Sequence, residues 1–242
     1  MLSGNDVRDF LQDFTPVRIG KIMQIYILRH GTTTWNSAHK IQGRADIPLD
    51  DIGTQMAVET GEYFKEQGIV FDRIFASPLQ RALNTAKIVT GRSDIETDDR
   101  LRELNFGRQE GERVEEMLES DMPFRYFRKA PEIYDRMAKE DETMESLTEL
   151  CARGKSFATE VIEKLPKDTN RILISAHGAL NKGLLMHLRN ESDISLFWGD
   201  GLSPNCGMDI WEYDFDTKTY TIIETNVIHY SDEVASKVTK LL

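Results

Sequence analysis

Residues 23–36 read MQIYILRHGTTTWN, and this stretch decides the fold class. Gln24 to Leu28 is rich in β-branched, aromatic and aliphatic side chains, the composition of a strand buried in a sheet. The chain then runs without a linker into Arg29, His30 and Gly31, followed by three threonines, Trp35 and Asn36. A guanidinium, an imidazole and a glycine at the carboxyl end of a buried strand stand where open α/β sheets bind ligands. A packed core has no use for that combination. The loop reads as part of an active site.

Working outward, residues 53–68 carry Met56, Ala57, Thr60, Gly61 and Phe64 at helical spacing, and residues 71–76 form a short apolar strand. Ser77 and Pro78 then read as the N-cap and first residue of a helix continuing through Leu79, Ala82, Leu83 and Ala86. Strand alternating with helix predicts an α/β domain with right-handed crossovers. Arg171 to Ser175 is another buried strand, and it too runs directly into His177-Gly178, followed by an apolar helix from Leu180 to Leu188. Residues 207–213 and 219–225 read as a late hairpin, so the sheet is mixed. The predicted class is α/β: a three-layer α/β/α sandwich with a mostly parallel, mixed central sheet.

The organisation predicted is an N-terminal extension, residues 1–22, and a single domain over 23–242. Val7, Phe10, Leu11 and Phe14 suit one face of a short helix ended by Pro16. Residues 107–146 are charged, glycine-punctuated and then aromatic (Phe124, Tyr126, Phe127, Tyr134), too short to bury a core of their own. They read as an irregular excursion covering the substrate. Ser146 and Glu149 form a capping box that resumes regular helix.

Bulk properties narrow the function. Asp plus Glu number 41 against 30 Lys plus Arg, a net charge of −11, which argues against a nucleic-acid footprint but leaves room for a small phosphorylated ligand held by a few arginines. Two cysteines, Cys151 and Cys206, fit neither a disulfide scaffold nor a thiolate metal site, and read as free thiols. No run approaches the length of a membrane span, and the acidic N-terminus lacks the apolar region of a secretory signal. A cytoplasmic location, no membrane and no nucleic-acid partner are expected. The oligomeric state is left open, a homo-oligomer included.

If the strands over Gln24 to Leu28 and Arg171 to Ser175 share one mostly parallel sheet, His30 and His177 emerge at the same edge. A zinc site is disfavoured, because no third ligand at metal spacing accompanies them and arginines beside them repel a cation. An anion is favoured. Arg81, near the first turn of its helix, and the amide of Asn36 complete a phosphate-sized pocket.

The ordered motifs resemble the histidine phosphatase superfamily, the group that includes cofactor-dependent phosphoglycerate mutases. They are Arg29-His30-Gly31 with Thr33 to Asn36; Gln42-Gly43, Asp46, Pro48-Leu49 and Gly53; Ser77 to Ala86; Leu101, Glu103, Phe106-Gly107 and Glu110-Gly111; and Ser175 to Gly178. The resemblance covers roughly residues 23–229 and implies a mechanism. His30 would be the nucleophile, forming a phosphohistidine. Arg29, Arg81 and His177 would hold phosphoryl oxygens, and Glu103 would serve as general acid and then base. Asn36, Thr33, Gln42 and Gly43 would line the substrate site. No metal and no cofactor is implied for hydrolysis. Thr32 stands where mutases carry glutamate, and Glu103 is followed by LNFGRQEG rather than the substrate-gripping ERRY-type stretch of mutases. The expectation is a metal-independent phosphomonoesterase acting on a small phosphorylated metabolite. Its alternatives are a cofactor-dependent phosphoglycerate mutase, an alpha-ribazole phosphatase and, from another class, a catalytically silent phospho-ligand binding module.

Overall fold

The computed structural model describes residues 21–199 and 201–238. The helix expected over 7–14 lies outside them. Six strands, β1 (Ile22–Arg29), β2 (Arg73–Ala76), β3 (Glu96–Thr97), β4 (Arg171–Ala176), β5 (Met208–Asp214) and β6 (Thr219–Val227), form one sheet in the order β3-β2-β4-β1-β5-β6. β3, β2, β4 and β1 pair in parallel, whereas β5 is antiparallel to β1 and to β6, so the sheet is mixed as the hairpin predicts.

Two-residue periodicity builds the layers. Ile25, Ile27, Ile172 and Ile174 face one side, where they meet helices α6 (Leu147–Glu160) and α7 (Gly178–Leu188) through Leu150, Phe157, Leu180 and Leu184. Tyr26, Leu28 and Leu173 face the other side, against Met56 and Phe64 of α2 (Asp51–Glu66), Ala86 and Val89 of α3 (Gln80–Thr90) and Val234 of α8 (Asp232–Ser236). Helices thus cover both faces, and the central strands stay apolar throughout. The excursion contributes α4 (Val114–Glu119) and α5 (Pro131–Lys139), joined by short 3-10 turns and packed on the first core through Phe127 and Tyr134. A one-turn helix, α1 (Thr34–Ser37), sits in the loop after β1.

One start signal reads differently in three dimensions. α3 begins at Gln80, not Pro78, and Leu79 is its N-cap without a side-chain cap. The Ser77 amide instead extends the β2–β4 pairing by donating to the Ser175 carbonyl at 3.0 Å. Asp46, from a distant loop, caps the helix by accepting from the Gln80 amide at 2.7 Å. A long-range cap has displaced the local one.

The loop after β1 crosses the start of α2 with no room for side chains. A Cβ on Gly53 would stand 2.2 Å from the Thr32 carbonyl oxygen and 2.5 Å from its nitrogen. Both obstacles are backbone. Gly53→Ala is therefore expected to cost about 1–3 kcal/mol, with a melting temperature lower by roughly 2–4 °C per kcal/mol; unchanged thermal unfolding would contradict this crossing.

Candidate active site

Strand register assembles the site. Arg29 lies opposite Ala176 in the β1–β4 pair, and the His30 amide donates to the Ala176 carbonyl at 3.0 Å. His30 and His177 therefore leave the sheet side by side, with ring centroids 5.2 Å apart. α3 follows β2, the next strand over, and brings Arg81 beneath them. Its fully buried guanidinium donates from Nε to His30 Nε2 at 3.3 Å, from Nη2 to the Gly43 carbonyl at 2.7 Å and from Nη1 to the Ala45 carbonyl at 2.8 Å. Glu110 holds that carbonyl loop in turn, accepting from the Arg44 and Ala45 amides at 2.8 and 2.7 Å. Arg81 cannot swing.

The same contacts fix the proton on His30. Nδ1 lies 2.6 Å from the Gly31 carbonyl, which can only accept, so Nδ1 carries the hydrogen and Nε2 keeps its lone pair. Burial, with Arg81 and then Arg29 nearby, holds this imidazole well below its ordinary pKa. Burial and Arg81 do the same to His177. Both rings are neutral at pH 7, and His30 offers an aromatic nitrogen lone pair.

Around that lone pair, hydrogen-bonding capacity is left over. Arg29 Nε, Gln42 Nε2 and both ring nitrogens of His177 are buried and bond to no other protein group. A buried donor without a partner costs about 1–3 kcal/mol, so several gathered at one place mark a ligand site. Arg29 also donates from Nη1 to the Ser203 carbonyl at 2.6 Å; burial pushes its pKa down to about 10, and it remains a cation at neutral pH. Asn36 commits Oδ1 to the Thr33 amide at 3.1 Å, leaving its NH2 for the cavity it lines. Thr33 and Gly43 stand behind the site instead. Thr33 is fully buried and ties Gln42 Oε1 at 2.7 Å, while Gly43 spends its carbonyl on Arg81.

Glu103 closes the other wall. Its carboxylate accepts from the amides of Ala179 and Leu180, in the first turn of α7, at 3.2 and 3.0 Å, and from Leu104 at 2.8 Å. That places an acidic side chain on the amide-rich end of the helix that begins beside His177. Arg153 of α6 clamps the segment from behind, donating to the carbonyls of Arg100, Arg102 and Glu103 at 2.6, 2.5 and 3.1 Å while pairing with Glu145 at 2.6 Å. Arg153 carries no local sequence signal; on a helix it looks like any surface arginine.

Arg29, Asn36, Gln42 and Glu103 open into a cavity of about 440 Å³. Its far walls come from the excursion and from Trp198, whose indole N–H donates to the Phe127 carbonyl at 2.6 Å. Phe106, Phe124 and Phe127 line it, whereas Tyr126 and Tyr134 do not; Tyr134 is wholly core. Among the described residues, no group of three or more His, Cys, Asp or Glu side chains gathers to hold a metal ion, and no helix is long and apolar enough to cross a membrane.

The family model of the histidine phosphatase superfamily (branch 1) matches residues 25–226. The chain belongs to this superfamily. The superfamily includes metal-independent phosphomonoesterases that work through a phosphohistidine intermediate. Among curated relatives, this histidine phosphatase is 30% identical over 196 residues to a 2,3-bisphosphoglycerate-dependent phosphoglycerate mutase of Elusimicrobium minutum, covering 70% of this chain and 79% of the relative. Among solved structures it is similar to YhfR of Bacillus stearothermophilus, with a TM-score of 0.74 at 27% identity, covering 86% of this chain and 98% of that one. It is also similar to a phosphoserine phosphatase of Entamoeba histolytica, with a TM-score of 0.69 at 26% identity, covering 84% and 96%. Both structures share the three-layer sandwich.

The depressed His30 pKa gives a pH prediction. A histidine whose folded pKa lies below its unfolded value of 6.5 binds its proton better when the chain is unfolded. Stability should therefore fall as pH drops below about 6.5, while imidazole NMR shows the His30 ring still neutral and protonated on Nδ1 at pH 6. A His30 ring titrating near 6.5 would contradict the geometry.

Proposed function

We propose that this histidine phosphatase hydrolyses the phosphomonoester of a small metabolite, with His30 Nε2 as the attacking atom. One observation carries the reading: an oriented Nε2 lone pair surrounded by buried nitrogen donors that no protein group satisfies. As the Nε2–phosphorus bond forms, the ester P–O bond breaks, and Glu103 gives a proton to the leaving oxygen. Arg29, Arg81 and His177 hold the equatorial oxygens, with the amides of Asn36 and Gln42 adding neutral donors. Arg81 Nε, which now contacts His30 Nε2, donates to a phosphoryl oxygen once the lone pair is used, with the guanidinium still held by the Gly43 and Ala45 carbonyls. Water then attacks the phosphohistidine, Glu103 takes its proton, and inorganic phosphate leaves with the imidazole restored. Residues 107–146 cover the substrate through the aromatic wall they present.

Hydrolysis is preferred over mutase chemistry. The stretch LNFGRQEG after the acid offers the cavity no basic side chain: its one arginine, Arg108, pairs with Asp141 at 2.7 Å. Thr32 is likewise occupied, donating to Asp50 at 2.7 Å. The mutase reading is kept because the curated relative from E. minutum bears that name. The two free cysteines, both pushed up to about 12 by burial, support a cytoplasmic setting in which neither is a reactive thiolate.

His30→Ala should lower the turnover of p-nitrophenyl phosphate at least about 10³-fold. Undiminished turnover would remove His30 as nucleophile. Glu103→Gln should lose roughly 10²–10⁴-fold on an alkyl phosphate but far less on p-nitrophenyl phosphate, whose leaving group departs without a proton; equal losses on both would argue against an acid role. Measured with and without a bisphosphorylated cofactor, interconversion of 3- and 2-phosphoglycerate should be negligible beside phosphate release, and the reverse ratio would establish the mutase.

A further inference from the structure

Glu103 sits on a stretch of backbone that no sheet or helix supports. Residues 102–106 lie between two 3-10 turns, Asp99–Leu101 and Gly107–Gln109, and belong to no strand or helix. Arg153 supplies what regular structure does not. All five of its guanidinium N–H groups are used: Nη1 donates to the Arg100 and Arg102 carbonyls, Nη2 to the Glu103 carbonyl and to Glu145 Oε2 at 3.0 Å, and Nε to Glu145 Oε1 at 2.6 Å. The side chains of Arg153 and Glu145 are only 14% and 11% exposed, so this is a largely buried ion pair. Burying two charges does not by itself stabilise a fold, since an apolar pair of the same volume often serves as well. Apolar side chains, however, cannot donate to three carbonyls of an irregular segment.

The pair is fixed with respect to both ends of the acid. Gly154, next to Arg153, lets α6 lie so close to α7 that a Cβ there would stand 3.1 Å from the Leu184 nitrogen. The backbone of Glu103 is thus held from α6, while its carboxylate is held by the Ala179 and Leu180 amides that open α7. Glu145 carries the same anchor to the wall of the cavity. It closes the root of the excursion: its amide donates to the Asn105 carbonyl at 2.9 Å, and its Oε2 accepts from the Asn105 amide at 3.2 Å. Beyond that root lie Phe124 and Phe127, which line the cavity. Arg44, from the loop that locks Arg81, reaches the same carboxylate at 3.4 Å. Acid, cavity wall and Arg81 loop therefore meet at one ion pair.

We propose that the Glu145–Arg153 pair is a positioning device for proton transfer, holding the Glu103 carboxyl in line with the leaving oxygen while the excursion holds the leaving group. This rests on the reading of Glu103 as the general acid that gives its proton to the leaving oxygen as the ester P–O bond breaks. Arg153 lines no part of the cavity and acts only through Glu103. Lysine cannot replace it, because an ammonium is a compact point charge with three donors and no planar fork to span Glu145 and the carbonyls together. Lysine would keep the positive charge, so that exchange separates geometry from electrostatics.

The test is a leaving-group series of similar bodies: 4-nitrophenyl, phenyl and benzyl phosphate, in falling order of leaving-group acidity. The quantity read is kcat/KM, which ends with loss of the leaving group and so excludes hydrolysis of the phosphohistidine. Glu103→Gln is the reference, with a loss that grows along the series to about 10²–10⁴-fold on benzyl phosphate. Arg153→Lys should follow the same trend at smaller amplitude, about threefold on 4-nitrophenyl phosphate and roughly 10–10²-fold on benzyl phosphate. Glu145→Gln should fall between the wild type and Arg153→Lys. Adding Arg153→Lys to Glu103→Gln should leave the leaving-group dependence of Glu103→Gln unchanged, as expected of a residue that acts through the acid. An equal Arg153→Lys loss on all three substrates, with Glu103→Gln still selective, would overturn the proposal and leave the acid in place. Further steepening in the double variant would do the same. An equal loss on all three for Glu103→Gln would remove the acid role, and the positioning role with it. If Arg153→Lys does not fold, Glu145→Gln decides by the same comparison; failure of both to fold would make the pair a folding element and overturn its positioning role.

Discussion

Everything at this site depends on the parallel pairing of β1 with β4 in a register that sets Arg29 opposite Ala176. That register is imposed by the core, not by the active site. Ile25 and Ile27 must face α6 and α7 while Tyr26 and Leu28 face α2 and α3, and a slip by one residue would turn every one of those side chains to the wrong layer. Hydrophobic burial on both faces thus sets the relative height of two histidines far apart in sequence. The catalytic geometry follows from packing.

Burial then does chemical work. Buried and flanked by two arginines, the His30 ring keeps Nε2 unprotonated at neutral pH, where an exposed imidazole would be partly protonated. The arginines persist as cations in the same environment because their ordinary pKa is so high that even a lowering to about 10 leaves them charged. One low-dielectric pocket therefore holds a neutral imidazole beside fixed positive charge. Arg81 is locked by two carbonyls before any substrate arrives, so the proposed phosphoryl transfer needs little reorganisation of it.

What was legible in the sequence follows from how locally each feature is encoded. The buried strands, the helix periods, the capping box at Ser146 and the loop motifs around His30 and His177 are written in contiguous residues, and the fold and the family could be read from them. Long-range contacts were opaque. Asp46 caps α3 from more than thirty residues away and displaces the local Ser77-Pro78 signal. Arg153 fixes the Glu103 segment from a helix that carries no motif. Thr33 and Gly43 sit inside motifs yet act one layer behind the cavity, holding Gln42 and Arg81. Trp198 and Arg128, which shape the cavity, lie outside every motif and come together only through the excursion.

The central claim is that phosphorus becomes bonded to His30 Nε2 during turnover. Rapid mixing of the enzyme with excess aryl phosphate, a denaturing quench at alkaline pH and peptide mass spectrometry measure this directly. The account predicts an acid-labile phosphoryl group on the peptide containing His30, attached at the ring nitrogen remote from Nδ1 and absent from His30→Ala. Phosphate release at full rate with the label on another residue, or label retained in His30→Ala, would contradict it.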